Sequence, residues 1–305
     1  MKKYLIVGAS GFIGSNILNI LPNNINIIII TTNKKKINKI IKNKSFFKHS
    51  IKNYNFISIK NKIIIQDIDV IINCTGAYPK KNNNKELIYL NYKFPKLLYN
   101  LSISKKSKKF ININTLLKNP KSNYVKYKHK LSDYFKSKLS NTKVVDLHVA
   151  HLYGDLNNKK EFIYSIIIKI FKGEKILKLT RGQQKRDFIH IKDFLRVLIL
   201  FLKNKTSRKY SKFEIGSSKS HSIKYVIFLI KRIMGSNIAT NFGYFNYKKG
   251  EDFSMKSNIK NLVNLKWKPS INLSTGIRFL INEIKYKQLK IKKYKKKFLL
   301  SKNIT

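Results

Sequence analysis

Apolar residues fall in short blocks along the chain, separated by polar stretches. Residues 4–7, Tyr-Leu-Ile-Val, make a short buried-strand pattern, and glycines then lead into a helical pattern over 12–21. Further strands are predicted over 25–30, over 70–73 after a turn at Asp67-Ile68-Asp69, over 110–113 and over 144–149. Helices are predicted over 86–104 and 124–139. Strand alternating with helix implies a doubly wound parallel sheet with helices on both faces, which takes ligands at the carboxyl ends of its strands. After Asp155 the pattern is less regular. Helices are expected over 161–171, 192–202, 223–234 and 274–285, with Ser222 as N-cap of the third and Gly235 just past its end. There is no internal repeat, and the residues after 285 read as a frayed basic helix.

Composition sharpens this picture. At 305 residues the chain has material for about two domains, and 43% hydrophobic residues exclude a wholly disordered basic protein. The net charge of +51 is the outlying feature. A nucleic-acid surface would cluster basic residues on one face with arginine and aromatics interleaved. Here Lys, Asn and Ile crowd every segment, which reads as compositional drift from an A+T-rich coding sequence, so a nucleic-acid partner is not expected. The densest run, 285–297, is the stretch where such contact stays open. One cysteine, Cys74, excludes a disulfide framework and a CxxC zinc or redox site, and no metal is expected. Apolar runs such as 197–202 and 27–30 fall far short of the roughly 18 residues a membrane span needs. The basic tip runs through a short apolar block into glycines, unlike a signal peptide, so a cytoplasmic location is expected.

The first glycines carry chemistry. Gly8-Ala9-Ser10-Gly11-Phe12-Ile13-Gly14 sits between the first strand and the first helix. Gly8 allows a tight turn, Gly11 lets a pyrophosphate approach the backbone, and Gly14 lets the helix pack close. The helix N-terminus then offers N–H groups and a positive dipole end to phosphate. An acid at the end of the second strand would bind the adenosine ribose of NAD. The chain has Thr31-Thr32-Asn33-Lys34-Lys35-Lys36 there, which suits a 2′-phosphate and gives NADP(H) an edge over NAD(H).

The spacing GxxGxxG resembles the extended short-chain dehydrogenase/reductases, the NAD-dependent epimerase/dehydratase family, and the resemblance covers residues 1–284. It implies a Rossmann-type fold with a smaller C-terminal α/β region that binds substrate. The expected division is 1–154 for the cofactor, with 187–212 returning to it, 155–186 and 213–284 for the substrate, and 285–305 as a tail. Tyr124-Val125-Lys126-Tyr127-Lys128 matches the family's YxxxK. Residues i and i+4 share a helix face, and an ammonium near a phenol favours its ionisation. The resemblance also implies that Lys128 holds the nicotinamide ribose, and that Thr115 hydrogen-bonds the reacting oxygen. Sugar-nucleotide dehydratases carry Asp-Glu after that threonine. Leu116-Leu117 stand here and cannot transfer a proton, so dehydration is not expected.

On the substrate side, His151-Leu152-Tyr153-Gly154 resembles the family's N-x-Y-G, with His151 available to substrate and His148 expected as a packed strand residue in place of a common Arg. The block Gly182-Gln183-Gln184-Lys185-Arg186-Asp187-Phe188-Ile189 resembles G-x-x-x-R-D-[FY]-[IV], whose arginine grips a nucleotide-sugar diphosphate. Arg186 is therefore the main substrate residue, with Asp187 ordering the loop. Lys248, in Phe245-Asn246-Tyr247-Lys248, stands where the family has a further Arg. Leu265-Lys266-Trp267-Lys268-Pro269 resembles a packing feature. The likeness is nearest to nucleotide-sugar 4-reductases of the CDP-abequose synthase type, with a role in polysaccharide precursor synthesis. It implies reduction of a 4-keto-6-deoxyhexose, with Tyr124 as proton donor, and a homodimer. Two alternatives stay open: a 4-epimerase with tightly bound NAD, and an NADP-sensing or nucleic-acid-binding protein without activity.

Overall fold

A computed structural model describes residues 2–23, 25–42, 48–53, 68–78, 84–156, 158, 161–203, 207–248 and 250–302. Its strands are β1 (Lys3–Val7), β2 (Asn26–Thr31), β3 (Lys48–Asn53), β4 (Val70–Asn73), β5 (Lys109–Thr115), β6 (Lys143–Val149), β7 (His151–Tyr153), β8 (Ile176–Leu179), β9 (Lys185–His190), β10 (Tyr210–Ile215), β11 (Ser220–Ser222) and β12 (Ala239–Phe242). Its helices are α1 (Phe12–Ile20), α2 (Lys34–Ile41), α3 (Asn84–Ile88), α4 (Phe94–Ser104), α5 (Asn123–Ser137), α6 (Phe162–Phe171), α7 (Ile191–Lys203), α8 (Ile223–Met234), α9 (Lys260–Asn264) and α10 (Leu273–Lys302).

Seven strands form one parallel sheet in the order β10-β6-β5-β4-β1-β2-β3. The expected doubly wound Rossmann-type sheet is therefore present. The order reverses between β1 and β4, which opens a crevice at their carboxyl ends. Alternation along the strands builds a core on each face. Tyr4 and Ile6 join Ile17, Leu18, Phe194 and Leu198 from α1 and α7, while Leu5 and Val7 join Phe94, Leu98, Leu131 and Phe135 from α4 and α5. A third core gathers Ile163, Ile166 and Ile167 of α6, Val226, Ile227 and Ile230 of α8, and Ile277, Leu280 and Ile281 of α10 around Tyr153 and Phe188. It lies beside two small sheets, β11-β9-β7 and β12-β8. Trp267 is buried as packing, in the first core.

The predicted strands and helices recur within one or two residues, with two corrections. The helix expected over 86–104 is split: α3 and α4 flank a π-turn at Tyr89–Lys93. The tail does not fray at 285, because α10 runs on to Lys302. Ser222 caps α8 by accepting from the Tyr225 amide at 3.1 Å, and Gly235 closes it with φ 61°. Of the expected turn before β4, Asp67 lies outside the described residues. Asp69 accepts from the Lys3 amide at 2.9 Å and pairs with Lys108 at 2.7 Å. α2, β3 and the short strands β7 to β12 were not legible as elements beforehand.

Candidate active site

The turn from β1 into α1 is built by its glycines. Gly8 has φ 77°, and a Cβ there would sit 2.9 Å from the Cys74 carbonyl carbon. A Cβ on Gly14 would fall 2.5 Å from the Gly8 oxygen and 2.6 Å from the Ala9 Cα. No side chain caps α1 at Gly11, so its first amides face the crevice without a competing oxygen from a cap. Phe12 and Ile13 turn against the core beneath. The Ser10 carbonyl accepts from Lys36 Nζ at 2.6 Å, which brings one lysine of the run after β2 onto the loop. Asn33 caps α2 by accepting from the Lys36 amide at 2.9 Å, and Thr32 is exposed beside it. A bare helix end, a backbone cradle and a cation at its lip fit the diphosphate of a dinucleotide.

The expected catalytic trio meets at the carboxyl end of β5. Thr115 ends that strand, and Tyr124 sits in the first turn of α5. Thr115 and Tyr78 are the side chains that bear on the Tyr124 hydroxyl. The Tyr78 ring stacks on the Tyr124 ring at 4.8 Å and 25°. Burial and the Tyr78 hydroxyl hold the Tyr124 phenol well above its ordinary range, while Thr115 pulls the other way. Lys128 is 3% exposed and donates to the carbonyls of Thr75 at 2.9 Å and Ile113 at 2.8 Å. Burial brings its pKa down to about 8, against the opposing pull of Asp146. The expected lowering of the phenol by Lys128 is therefore not what this geometry gives. The ammonium is spent on two carbonyls, and burial favours the neutral form of the phenol.

Behind the trio lies a buried polar network. Asp146 of β6 accepts from Asn112 at 2.8 Å, Ser132 at 2.5 Å and Tyr210 at 3.1 Å, and pairs with His148 at 3.0 Å. Burial would raise this carboxyl, but His148, Ser132 and Asn112 hold it well below the usual range. Asn114 donates to Ser132 Oγ at 2.8 Å and to the Lys128 carbonyl at 3.2 Å, fixing the middle of α5 on β5. His148 is thus a packed strand residue with a carboxylate partner.

The substrate-side residues are brought together in part. His151 of β7 lies edge-on to Phe188, and burial, with Arg186 nearby, brings its pKa down to about 4. Arg186 is buried and already engaged. It pairs with Glu251 and donates to the Asp252 carbonyl and, at 2.9 Å, to the Lys185 carbonyl. Asp187 accepts from Ser217 at 2.7 Å, Ser218 at 3.0 Å and Ser257 at 2.6 Å, tying three segments together. Lys248 is exposed, and its carbonyl accepts from the Glu251 amide at 3.0 Å, so the structure does not join its side chain to this group.

Sequence reasoning missed Tyr78, Asn91 and Glu251. Asn91, in the π-turn, donates to the Ala77 carbonyl at 2.8 Å and accepts from the Ala77 amide at 3.2 Å, clamping the residue before Tyr78. The only advance signal was the interruption such a turn makes in a helix, which a single sequence does not display.

Comparisons with known proteins agree with this architecture. The chain is 27% identical to CDP-abequose synthase of Salmonella typhimurium over 308 residues, covering 93% of this chain and 99% of that one. It is 24% identical to ADP-L-glycero-D-manno-heptose-6-epimerase of Brachyspira hyodysenteriae over 306 residues, covering 90% and 95%. Among solved structures, UDP-glucuronic acid 4-epimerase of Bacillus cereus, in complex with UDP-glucuronic acid and NAD, superposes with a TM-score of 0.81 at 22% identity, covering 93% of this chain and 99% of that one. MoeE5 in complex with UDP-glucuronic acid and NAD gives a TM-score of 0.81 at 17% identity with the same coverage. The sequence profile of the NAD dependent epimerase/dehydratase family matches residues 4–216, and the chain belongs to that family.

Proposed function

We propose that the protein reduces a nucleotide-activated sugar, a 4-keto-6-deoxyhexose, at C4. The observation that carries this reading is the placement of the Tyr124 phenol in the first turn of α5, beside Thr115 at the carboxyl end of β5, where burial favours its neutral form. Reduction of a ketone needs a proton donor at the carbonyl oxygen, and a neutral phenol is one. Thr115 donates to the same oxygen and orients it. Lys128 keeps two N–H groups on the carbonyls of Thr75 and Ile113, and its third suits a ribose hydroxyl. A bound nicotinamide cofactor supplies the hydride. The likeness to CDP-abequose synthase over nearly the full length supports a nucleotide-sugar substrate. Leu116 and Leu117, after Thr115, offer no acid or base for elimination of water.

Arg186 grips the diphosphate in this reading, exchanging Glu251 for phosphate, with His151 beside it as a neutral donor or acceptor. The absence of an acid after β2, exposed Thr32, and Lys36 at the Ser10 carbonyl favour NADPH over NADH. Tyr124→Phe is expected to lower kcat on a nucleotide 4-keto-sugar at least 100-fold, in the range of a positioned proton donor. Survival within a few-fold overturns the mechanism. Denaturation of the purified protein should release little cofactor. Stoichiometric NAD would instead identify an epimerase.

A further inference from the structure

Asp146 is a fully buried carboxylate that the proposed reaction does not use. It stands on β6 in register with Asn112 of β5, which is in register with Asn73 of β4. The three side chains are joined across the sheet. Asn73 Nδ2 donates to Asn112 Oδ1 at 2.7 Å, and Asn112 Nδ2 donates to Asp146 Oδ1 at 2.8 Å. Asn73 Oδ1 then accepts from the Thr75 amide at 3.2 Å and from the Thr75 hydroxyl at 2.6 Å. The carbonyl of the same Thr75 accepts from Lys128 Nζ at 2.9 Å. A second arm leaves the other carboxylate oxygen. Asp146 Oδ2 accepts from Ser132 at 2.5 Å, and Ser132 accepts from Asn114 Nδ2 at 2.8 Å. Asn114 also donates to the Lys128 carbonyl at 3.2 Å, and its Oδ1 accepts from the Thr115 amide at 2.8 Å. Both arms end on Lys128, and the second also on Thr115.

The direction of the ladder is set at one end. An ionised carboxylate only accepts, whereas an amide side chain has one accepting and one donating end. Asp146 therefore obliges Asn112 to give it N–H and to turn oxygen to Asn73, and Asn73 in turn to offer oxygen to Thr75. We propose that Asp146 is a positioning residue of this site, the anchor that holds the Lys128 ammonium and the Thr115 backbone in their working places. This rests on the reading of Thr115 and Lys128 as working residues. The other groups around the carboxylate come from three elements. His148 on β6 pairs with it at 3.0 Å and packs on His129 of α5. Tyr210 of β10 donates to it at 3.1 Å, and the exposed Lys212 stands opposite in register. Lys128 itself faces Cys74 and Asp146. Burial brings its pKa down to about 8, and the Asp146 charge favours the ammonium against that fall.

Asp146→Asn keeps the shape and removes the charge. Turnover of a nucleotide 4-keto-sugar with NADPH should lose roughly tenfold or more in kcat, with KM within twofold, as expected when a catalytic group is misplaced from a distance. A wild-type kcat overturns the proposal, whatever the melting temperature. So does a KM raised as far as kcat is lowered, the mark of a disturbed fold rather than a moved group. If that variant does not fold, Asn73→Ala decides, because it cuts the ladder between Asp146 and Thr75 and leaves the carboxylate its own partners. It should show the same split, and a wild-type kcat again overturns the anchor. A wild type without activity would sink the reductase reading instead. Carbon-13 NMR of labelled lysine side chains then decides, with the Lys128 signal identified by its loss in Lys128→Met. Its titration midpoint, about 8 in the wild type, should fall in Asp146→Asn. An unchanged midpoint shows that Asp146 does not act on Lys128 and overturns the proposal.

Discussion

Lys128 carries a charge in a place that disfavours charge. Its pKa falls from 10.5 to about 8 through burial. Between those values the unfolded chain still holds the proton that the folded chain has lost. The unfolded state therefore binds more protons, and this group adds stability as pH rises through the window. In Lys128→Met the titration is gone. The melting temperature of the variant, relative to wild type, should drop as pH rises from about 8 to 10.5. A constant difference across paired melts would contradict the burial reading. The chemistry legible in the sequence is local: the glycine loop, and Tyr124 with Lys128 one helical turn apart. Tyr78, Asn91 and Glu251 were illegible because their partners lie far off in the chain and no spacing links them. Arg186 was legible as a residue, but not its pairing with Glu251.

Elements were legible where burial is two-sided. β1, β4, β5 and β6 read as apolar runs because helices cover both faces. β11 and β12 are short and partly exposed, and Lys34-Lys35-Lys36 masked the helix that Ile37 and Ile41 anchor. α6 carries a prediction of its own. Its cap, Glu161, accepts from the amides of Ile163 at 2.9 Å and Tyr164 at 2.8 Å. Burial outweighs those bonds and raises its pKa from 4.5 to about 7. In that window the folded chain binds the extra proton, so stability from this group falls as pH rises. Glu161→Gln keeps one acceptor and cannot ionise. Its melting temperature should gain on wild type between pH 4.5 and 7. A gap that stays flat would mean that the carboxylate is better solvated than its surroundings suggest.

At the scale of the molecule, +51 of charge surrounds a site read here as binding two multiply anionic molecules. Such a field raises encounter rates and is screened by salt. KM for the nucleotide-sugar should rise several-fold between about 20 and 300 mM NaCl, with kcat nearly constant. A KM indifferent to salt would assign the lysines no part in capture. Among the described residues no helix is long and apolar enough to cross a membrane. Two of the cores are joined more closely than their separate sheets suggest. β6 ends at Val149 and β7 begins at His151, with Ala150 alone between them, its N–H donating to the Ile215 carbonyl at 2.8 Å. Residues 143–153 are thus a single rod crossing from one sheet to the next, with Val149 in one core and Tyr153 in the other. Side chains alternate along such a rod, so the two cores are meshed in phase like teeth on a shared shaft. One residue inserted at Ala150 would turn His151 and Tyr153 to the wrong side together, while two would leave their parity intact. Lysine is spread along the whole chain, but the count of residues along this rod is fixed by the two cores it joins.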